Sequence, residues 1–290
     1  MASGRARPAR PGAVRVVTDS VACVPLAIAR AVRLEIVPLW IQVGGEQYRD
    51  GLDIEPRAVY RKLREGNAIT TSAPSVGDFL QAFERLAREG ARQIVAVTLA
   101  REFSGVFNNA RLAAEESPVP VTVIDSRTAA SAQGWIAIEA ARAASRGAGV
   151  EAIARRIEEV RPRAKVYALV PELRYLRRGG RVVQALARLG AALGVIPILA
   201  IEGDGRVEPL AITRSKAAAL QRIIEEVRRD GRQGRLHLAV LESDAPEDAR
   251  WLLDAVRAEV DVAEWHVAPF TPAMGAHAGP GIVGVGYWVE

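Results

Sequence analysis

The sequence predicts an α/β protein of two α/β domains, the first on a mainly parallel sheet and the second on a mixed or antiparallel one. Three observations carry this. The 290 residues exceed the usual size of one compact domain, and each half is long enough to bury its own core. Through the first half, short runs rich in β-branched residues alternate with longer amphipathic stretches, the rhythm of a parallel sheet with covering helices. After about residue 160 the rhythm changes, and "IPILAIEGDGRVEPLAITR" reads as two strands joined at Asp204-Gly205, a strong hairpin signal.

The opening "MASGRARPARPGA", residues 1–13, mixes arginine with small residues and lacks the apolar segment of a signal peptide, so a disordered tail is expected. The first domain is expected over 14–160. Its strands are "VRVVTDS" (14–20), "RLEIVPLWIQV" (33–43), "QIVAVTL" (93–99) and "VTVIDS" (121–126). Between them, "VGDFLQAFERLAREG" and "GWIAIEAARAASRG" have helical spacing and end in glycine, as helices often do. In "NAITTSAPSVGDF" (67–79), Ser75 with Asp78 three residues on forms a capping box and Pro74 sets the approach to the helix. The cap leaves Thr70, Thr71 and Ser72 unexplained, as an exposed polar loop or as ligand contacts.

The second domain is expected over 161–290. "KVYALVPEL" opens it, the hairpin follows, "RLHLAVLES" is a strand, "PEDARWLLDAVRAE" a helix, and "EWHVAPF" and "GIVGVGYWVE" are closing strands. Hairpins mixed with helices argue a mixed sheet. No internal repeat is present.

Composition excludes several classes. Cys23 is the lone cysteine, so neither an internal disulfide nor a multi-cysteine zinc site can form. No apolar run approaches the roughly 20 residues that span a bilayer, and a cytoplasmic location is expected. A formal charge of +5 is modest, Arg5, Arg7 and Arg10 sit in the tail, and aromatics are sparse, so no basic stripe for nucleic acid is expected. "GPGIVG" (279–284) fits G-x-G-x-x-G, but the chain ends before the helix and acidic residue that a dinucleotide fingerprint needs. No P-loop, H-E-x-x-H or G-x-S-x-G occurs.

"TDS" (18–20), "TLAREFSG" (98–105) and "IDS" (124–126) each place hydroxyl or carboxylate groups at the carboxyl end of an expected strand, the edge where open parallel sheets bind ligands. Ser104-Gly105 also opens the helix "VFNNARLAAEE", so Ser104 suits a helix cap, an anion contact, or both.

Together, "VVTDS", "ITTSAPS", "LAREFSGVFNNAR", "VIDSRTAASAQG", "LRYLRRGGRV", "LGVIPILAIEGDGRV" and "GAHAGPGIVGVGYW" resemble the DegV family of bacterial fatty-acid-binding proteins, in order and spacing, from about Val14 onward. The resemblance implies two α/β domains with a long-chain fatty acid buried between them. It also implies the role of acyl-carrying subunit to a separate fatty acid kinase, without catalytic residues, metal or further cofactor of its own. On this sequence the family's carboxylate-binding threonine falls on Thr71, the serine of its Ser-Gly motif on Ser104, and the histidine of its His-x-Gly-Pro-Gly motif on His277. Ser72 and Gly105 beside them, with Arg181 and Arg214, are implied near the head group or the partner-facing rim. The chain departs from the family at Ala73, where glutamine is common, and at Ala100 and Arg101, near which serines are common.

Of the three histidines, His237 and His266 sit within strands, whereas His277 lies among glycines that permit close backbone approach. The same residues admit a rival: a lipid-directed hydrolase or acyltransferase with Ser104 or Thr71 as nucleophile, His277 as base and Asp19 or Asp125 as orienter. Spacing alone leaves the two readings open.

Overall fold

Residues 14–19 (β1, Val14–Asp19) are buried along their whole length, as expected of a strand inside a parallel sheet covered on both faces. The structure, a computed structural model, describes residues 13–180, 187, 194–202 and 205–290. After β1 come a 3₁₀ turn (Ser20–Ala22), α1 (Leu26–Ala31), β2 (Leu34–Val37), β3 (Trp40–Val43), β4 (Glu46–Arg49), α2 (Pro56–Arg64), β5 (Ile69–Ser72), α3 (Val76–Arg88), β6 (Gln93–Thr98), α4 (Val106–Glu116) and β7 (Val121–Asp125). Strands β2-β1-β6-β7 form a sheet parallel throughout.

Two expectations are corrected here. Residues 33–43 are two strands in different sheets, β2 in the parallel sheet and β3 in a small antiparallel sheet of order β4-β3-β5. Pro38, which has no N–H to donate, stands at the break. The hydroxyl-rich "ITTS" is strand β5 rather than a loop, paired to β3 with Thr71 opposite Ile41. Alternation explains its polar look: Ile69 and Thr71 are half-buried while Thr70 and Ser72 are exposed. The Ser75–Asp78 capping box at the start of α3 is present in both directions.

The chain continues through α5 (Ala130–Ser145), α6 (Val150–Val160), β8 (Ala164–Leu169), α7 (Leu173–Gly179), β9 (Ile196–Glu202), β10 (Arg206–Thr213), α8 (Lys216–Gly231), β11 (Leu236–Glu242), α9 (Pro246–Glu259), β12 (Val262–Pro269), α10 (Pro272–Ala278) and β13 (Val283–Val289). A six-stranded sheet of order β10-β9-β8-β13-β11-β12 is antiparallel except for the β11/β12 pair, so it is mixed, as anticipated. β9 and β10 pair as a hairpin with Gly205 at positive φ; Asp204 lies outside the described residues.

Helix α5 explains how the sheets come together. Its residues "ASAQGWIAIEAARAAS" are buried almost all round, the pattern of a helix packed on two sides. Small residues permit this: a Cβ on Gly134 would overlap the Ala22 carbonyl, and one on Gly286 in β13 would overlap the Ser131 hydroxyl. Trp135 donates from Nε1 to the Gly286 carbonyl at 3.1 Å, tying α5 to β13. One apolar core thus runs from β1 across α5 to β8 and β13, a second lies under α3 and α4, and a third under α8 and α9. Among the described residues, no helix is long and apolar enough to cross a membrane.

Candidate functional site

A cavity of about 210 Å³ opens at the carboxyl edge of the parallel sheet. From that edge come Val21, Leu99, Phe103, Ser104 and Ala130; from the six-stranded sheet come β8, β9 and β10, through residues such as Val166, Leu199 and Val207. Helix α10 supplies Met274 and His277. Among the described residues lining it, only Thr71, Ser72, Ser104 and His277 carry polar side chains.

Thr71 Oγ1 lies 2.6 Å from His277 Nε2, the ring tautomer deciding which group donates. Thr70 faces the other way, its hydroxyl donating to Gln42 Oε1 at 3.2 Å across the small sheet. Ser104 precedes α4, whose cap residue is Gly105 with no side-chain capping bond. The expected cap role of Ser104 is therefore not used, and its hydroxyl lines the cavity. Asn109, one turn into α4, donates from Nδ2 to the Pro74 carbonyl at 2.8 Å and so fixes the Ser104 segment against the end of β5.

The position of His277 is set from the far end of α10. Asp50 Oδ1 accepts from Ala273 N at 2.8 Å, in the first turn of this helix, while Asp50 Oδ2 accepts from the Ser20 hydroxyl at 2.6 Å. Burial raises the Asp50 carboxyl above its ordinary range, although Ser20 and Ala273 favour the ionised form. Gly275 lets α10 approach α2 closely, since a Cβ there would stand 2.7 Å from the Tyr60 ring. Gly279 ends the helix at φ +78°, where a Cβ would overlap Tyr175.

The strand-end carboxylates serve the scaffold. Asp19 accepts from Leu99 N at 2.8 Å, Gln133 Nε2 at 2.9 Å and Val21 N at 3.1 Å, holding two cavity-lining segments together. Burial pushes its pKa up to about 6. Asp125 accepts from Arg101 Nε at 2.8 Å and Arg127 N at 2.9 Å. Both candidate orienters of a hydrolytic triad are thus committed to other partners. Ser20 and Ser126 likewise bond within the scaffold.

Arg214 is exposed just beyond β10 and does not line the cavity. It stands seven residues from the lining residue Val207, roughly 20 Å along a strand. Arg181 lies outside the described residues. His237 and His266 pack away from the cavity, around Trp135, with His237 stacked on Trp288 at 4.2 Å. Glu139, His237 and Glu264 bring ligand-type atoms within 4.8 Å of one another. Arg142 bonds both carboxylates and Arg156 bonds Glu139, so the charges are already met by guanidinium groups and the cluster is an ion-pair network.

Asp50, Asn109 and Gln133 escaped sequence reasoning. Each is an isolated polar residue whose partners lie 30 to 223 positions away, so no local pattern marks it.

The DegV family model, whose description is of uncharacterised proteins, matches residues 13–290. The chain belongs to the DegV family. A DegV domain-containing protein of Streptomyces coelicolor is 37% identical over 274 residues, covering 94% of this chain and 97% of that one. Among solved structures, a DegV family protein from Thermus thermophilus, described as binding fatty acid, superposes with a TM-score of 0.88 at 31% identity, over 96% of this chain and 99% of that one. DegV from Bacillus subtilis, described as a fatty acid binding protein, gives 0.86 at 26% identity, over 96% and 99%. The two solved DegV relatives thus share the fold over nearly the whole of this chain.

Proposed function

We propose that this DegV chain holds a long-chain fatty acid in the cavity between residues 14–160 and 161–290, two domains, with the carboxylate at Thr71, Ser104 and His277. The observation that carries it is the lining: apolar, among the described residues, except for those three side chains and Ser72. The relatives described as fatty-acid binders support the same ligand class.

The energetics fit an amphiphile. Burying the roughly 14 methylenes of a long acyl chain at ~0.8 kcal/mol each supplies on the order of 11 kcal/mol before ordering costs. A buried carboxylate costs several kcal/mol unless bonded, and each charge-assisted bond returns about 1.5–3 kcal/mol. Two hydroxyls and an imidazole meet that need, and Ser72 and Gly105 flank it. The protein then acts as a cytoplasmic carrier without turnover of its own, presenting the carboxylate to a separate kinase subunit that forms an acyl phosphate from ATP.

The test is extraction of purified protein followed by mass spectrometry, with near one fatty acid per chain expected. Repeated extraction without lipid, and no thermal shift on adding fatty acid, overturns the reading. The Thr71–His277 contact has the reach of a nucleophile–base pair, so a serine-directed fluorophosphonate decides the rival. A carrier stays unlabelled; labelling at Thr71 or Ser104 makes it a hydrolase.

A further inference from the structure

The three head-group side chains stand on three segments, and they are not held to one another equally. Thr71 on β5 and His277 on α10 meet directly at 2.6 Å. Ser104 bonds to neither, so where its hydroxyl stands relative to that pair depends on how α4 is seated. Among the described residues, one hydrogen bond joins 99–109, which carries Ser104, to 69–75, which carries Thr71: Asn109 Nδ2 donates to the Pro74 carbonyl at 2.8 Å. A carbonyl only accepts, so the Asn109 amide is fixed with its nitrogen toward Pro74.

That carbonyl is itself held still. Its peptide unit is planar, and the nitrogen of the same unit, Ser75 N, donates to Asp78 Oδ2 at 2.7 Å. The same carboxylate oxygen accepts from Trp40 Nε1 at 2.9 Å, and Trp40 stands opposite Ser72 where β3 pairs with β5. A continuous bracket therefore runs from the small sheet, through the start of α3, to Asn109. Asn109 lies one turn inside α4, its N–H bonded to the Gly105 carbonyl at 3.0 Å. Gly105 caps that helix without a side-chain bond, and no described residue accepts from the amides of Val106 and Phe107. Those first amides carry the positive end of the helix dipole. Turning α4 off the Pro74 carbonyl would move Ser104 and this positive end together.

We infer that Asn109 is a positioning residue: by seating α4 on Pro74 it aims Ser104 and the amide end of the helix at the Thr71–His277 pair, and so makes the site select a carboxylate over a neutral head group on the same chain. This rests on the fatty-acid reading above. A carboxylate draws on several donors at once and on the helix's charge, so it loses most when they are splayed apart. An alcohol makes fewer and neutral bonds and loses little. Asn109 does not line the cavity, and the contacts to the acyl chain are the same for both.

Asn109→Leu keeps the approximate size of the side chain and removes the donor. Palmitic acid and hexadecanol, which differ only at the head group, are each titrated against a fluorescent acyl probe on delipidated protein. In Asn109→Leu, affinity for palmitic acid should fall about tenfold while that for hexadecanol stays within about twofold, so the acid-to-alcohol ratio drops roughly fivefold or more. Asn109→Ala is read the same way and supplies the answer if the leucine variant does not fold. An unchanged ratio overturns the inference. So does an equal loss for both ligands, because a cavity wall that merely loosens does not tell the head groups apart. Unmodified protein that binds acid and alcohol equally, or neither, instead strikes the head-group reading above and takes this inference with it.

Discussion

Ser104 makes no hydrogen bond with the described residues, and this separates its roles in folding and in binding. Ser104→Ala should leave stability within about 0.5 kcal/mol, because nothing buried loses a partner. Fatty acid affinity should fall by about 1–3 kcal/mol, the worth of one bond to a charged group. Thr71→Val should weaken binding by a similar ~1–3 kcal/mol and also leave His277 without its Thr71 contact. Displacement of a fluorescent acyl probe measures both, and unchanged affinities would remove these residues from the head-group site. Asp19 carries a different prediction. Its folded pKa, about 6, is raised above its ordinary value of 3.8 by burial. The folded state therefore binds the proton more tightly than the unfolded chain, and the contribution of Asp19 to stability is greatest below pH 4. It is lost as pH rises to about 6, by on the order of 3 kcal/mol, and stays level above that. Urea unfolding of wild type and Asp19→Asn across this range should show their difference shrinking as pH rises; a difference independent of pH would refute the assignment.

Elements rather than residues decide where His277 stands. Helix α10 is short, and its direction comes from Asp50 at one end, Gly279 at the other and the bare face of Gly275 against Tyr60. Gly275→Ala puts a methyl 2.7 Å from the Tyr60 ring, so overpacking should cost about 1–3 kcal/mol and shift His277 away from Thr71. Adding Tyr60→Leu should return part of both the stability and the fatty acid affinity, a coupling that a double-mutant cycle reads directly. Independent effects of the two substitutions would mean that α10 is held elsewhere. This scale also shows what the sequence made legible. The parallel strands, the helices α3, α4 and α9, the capping box and the β9–β10 hairpin all announce themselves through periodicity or turn chemistry within a dozen residues. The small sheet β4-β3-β5 does not: β3 reads as a continuation of β2, and β4 and β5 are four-residue strands whose polar faces look like loops until their partners are known. Ser104 was legible as a hydroxyl at a strand's carboxyl end, but its grouping with Thr71 and His277 came only with the resemblance, since the 2.6 Å contact between residues 71 and 277 exists in no local window. Asp19 and Asp125 were legible as strand-end carboxylates, but whether such a group faces a ligand or a backbone amide depends on tertiary contacts.

At the scale of the whole molecule, the cavity walls come from both the parallel sheet's edge and the face of the six-stranded sheet, while α5 and its ion-pair network already join the two. A ligand seated there touches loops after β1, β6 and β7 together with β8, β9 and α10. Binding should therefore stabilise both halves as one unit, by about 2.7 kcal/mol when free fatty acid stands at a hundredfold excess over its dissociation constant. Hydrogen exchange of delipidated and refilled protein distinguishes this from a one-sided site. Slowed exchange is expected together in residues 99–106, 128–132, 196–201 and 273–279, with little change in α8, which covers the third core on the opposite face of the six-stranded sheet. Protection confined to residues 99–132 would place the ligand on the parallel-sheet edge alone. Protection that spread equally into α8 would mean that the whole chain tightens on binding, and the cavity walls would then have no special claim to the ligand.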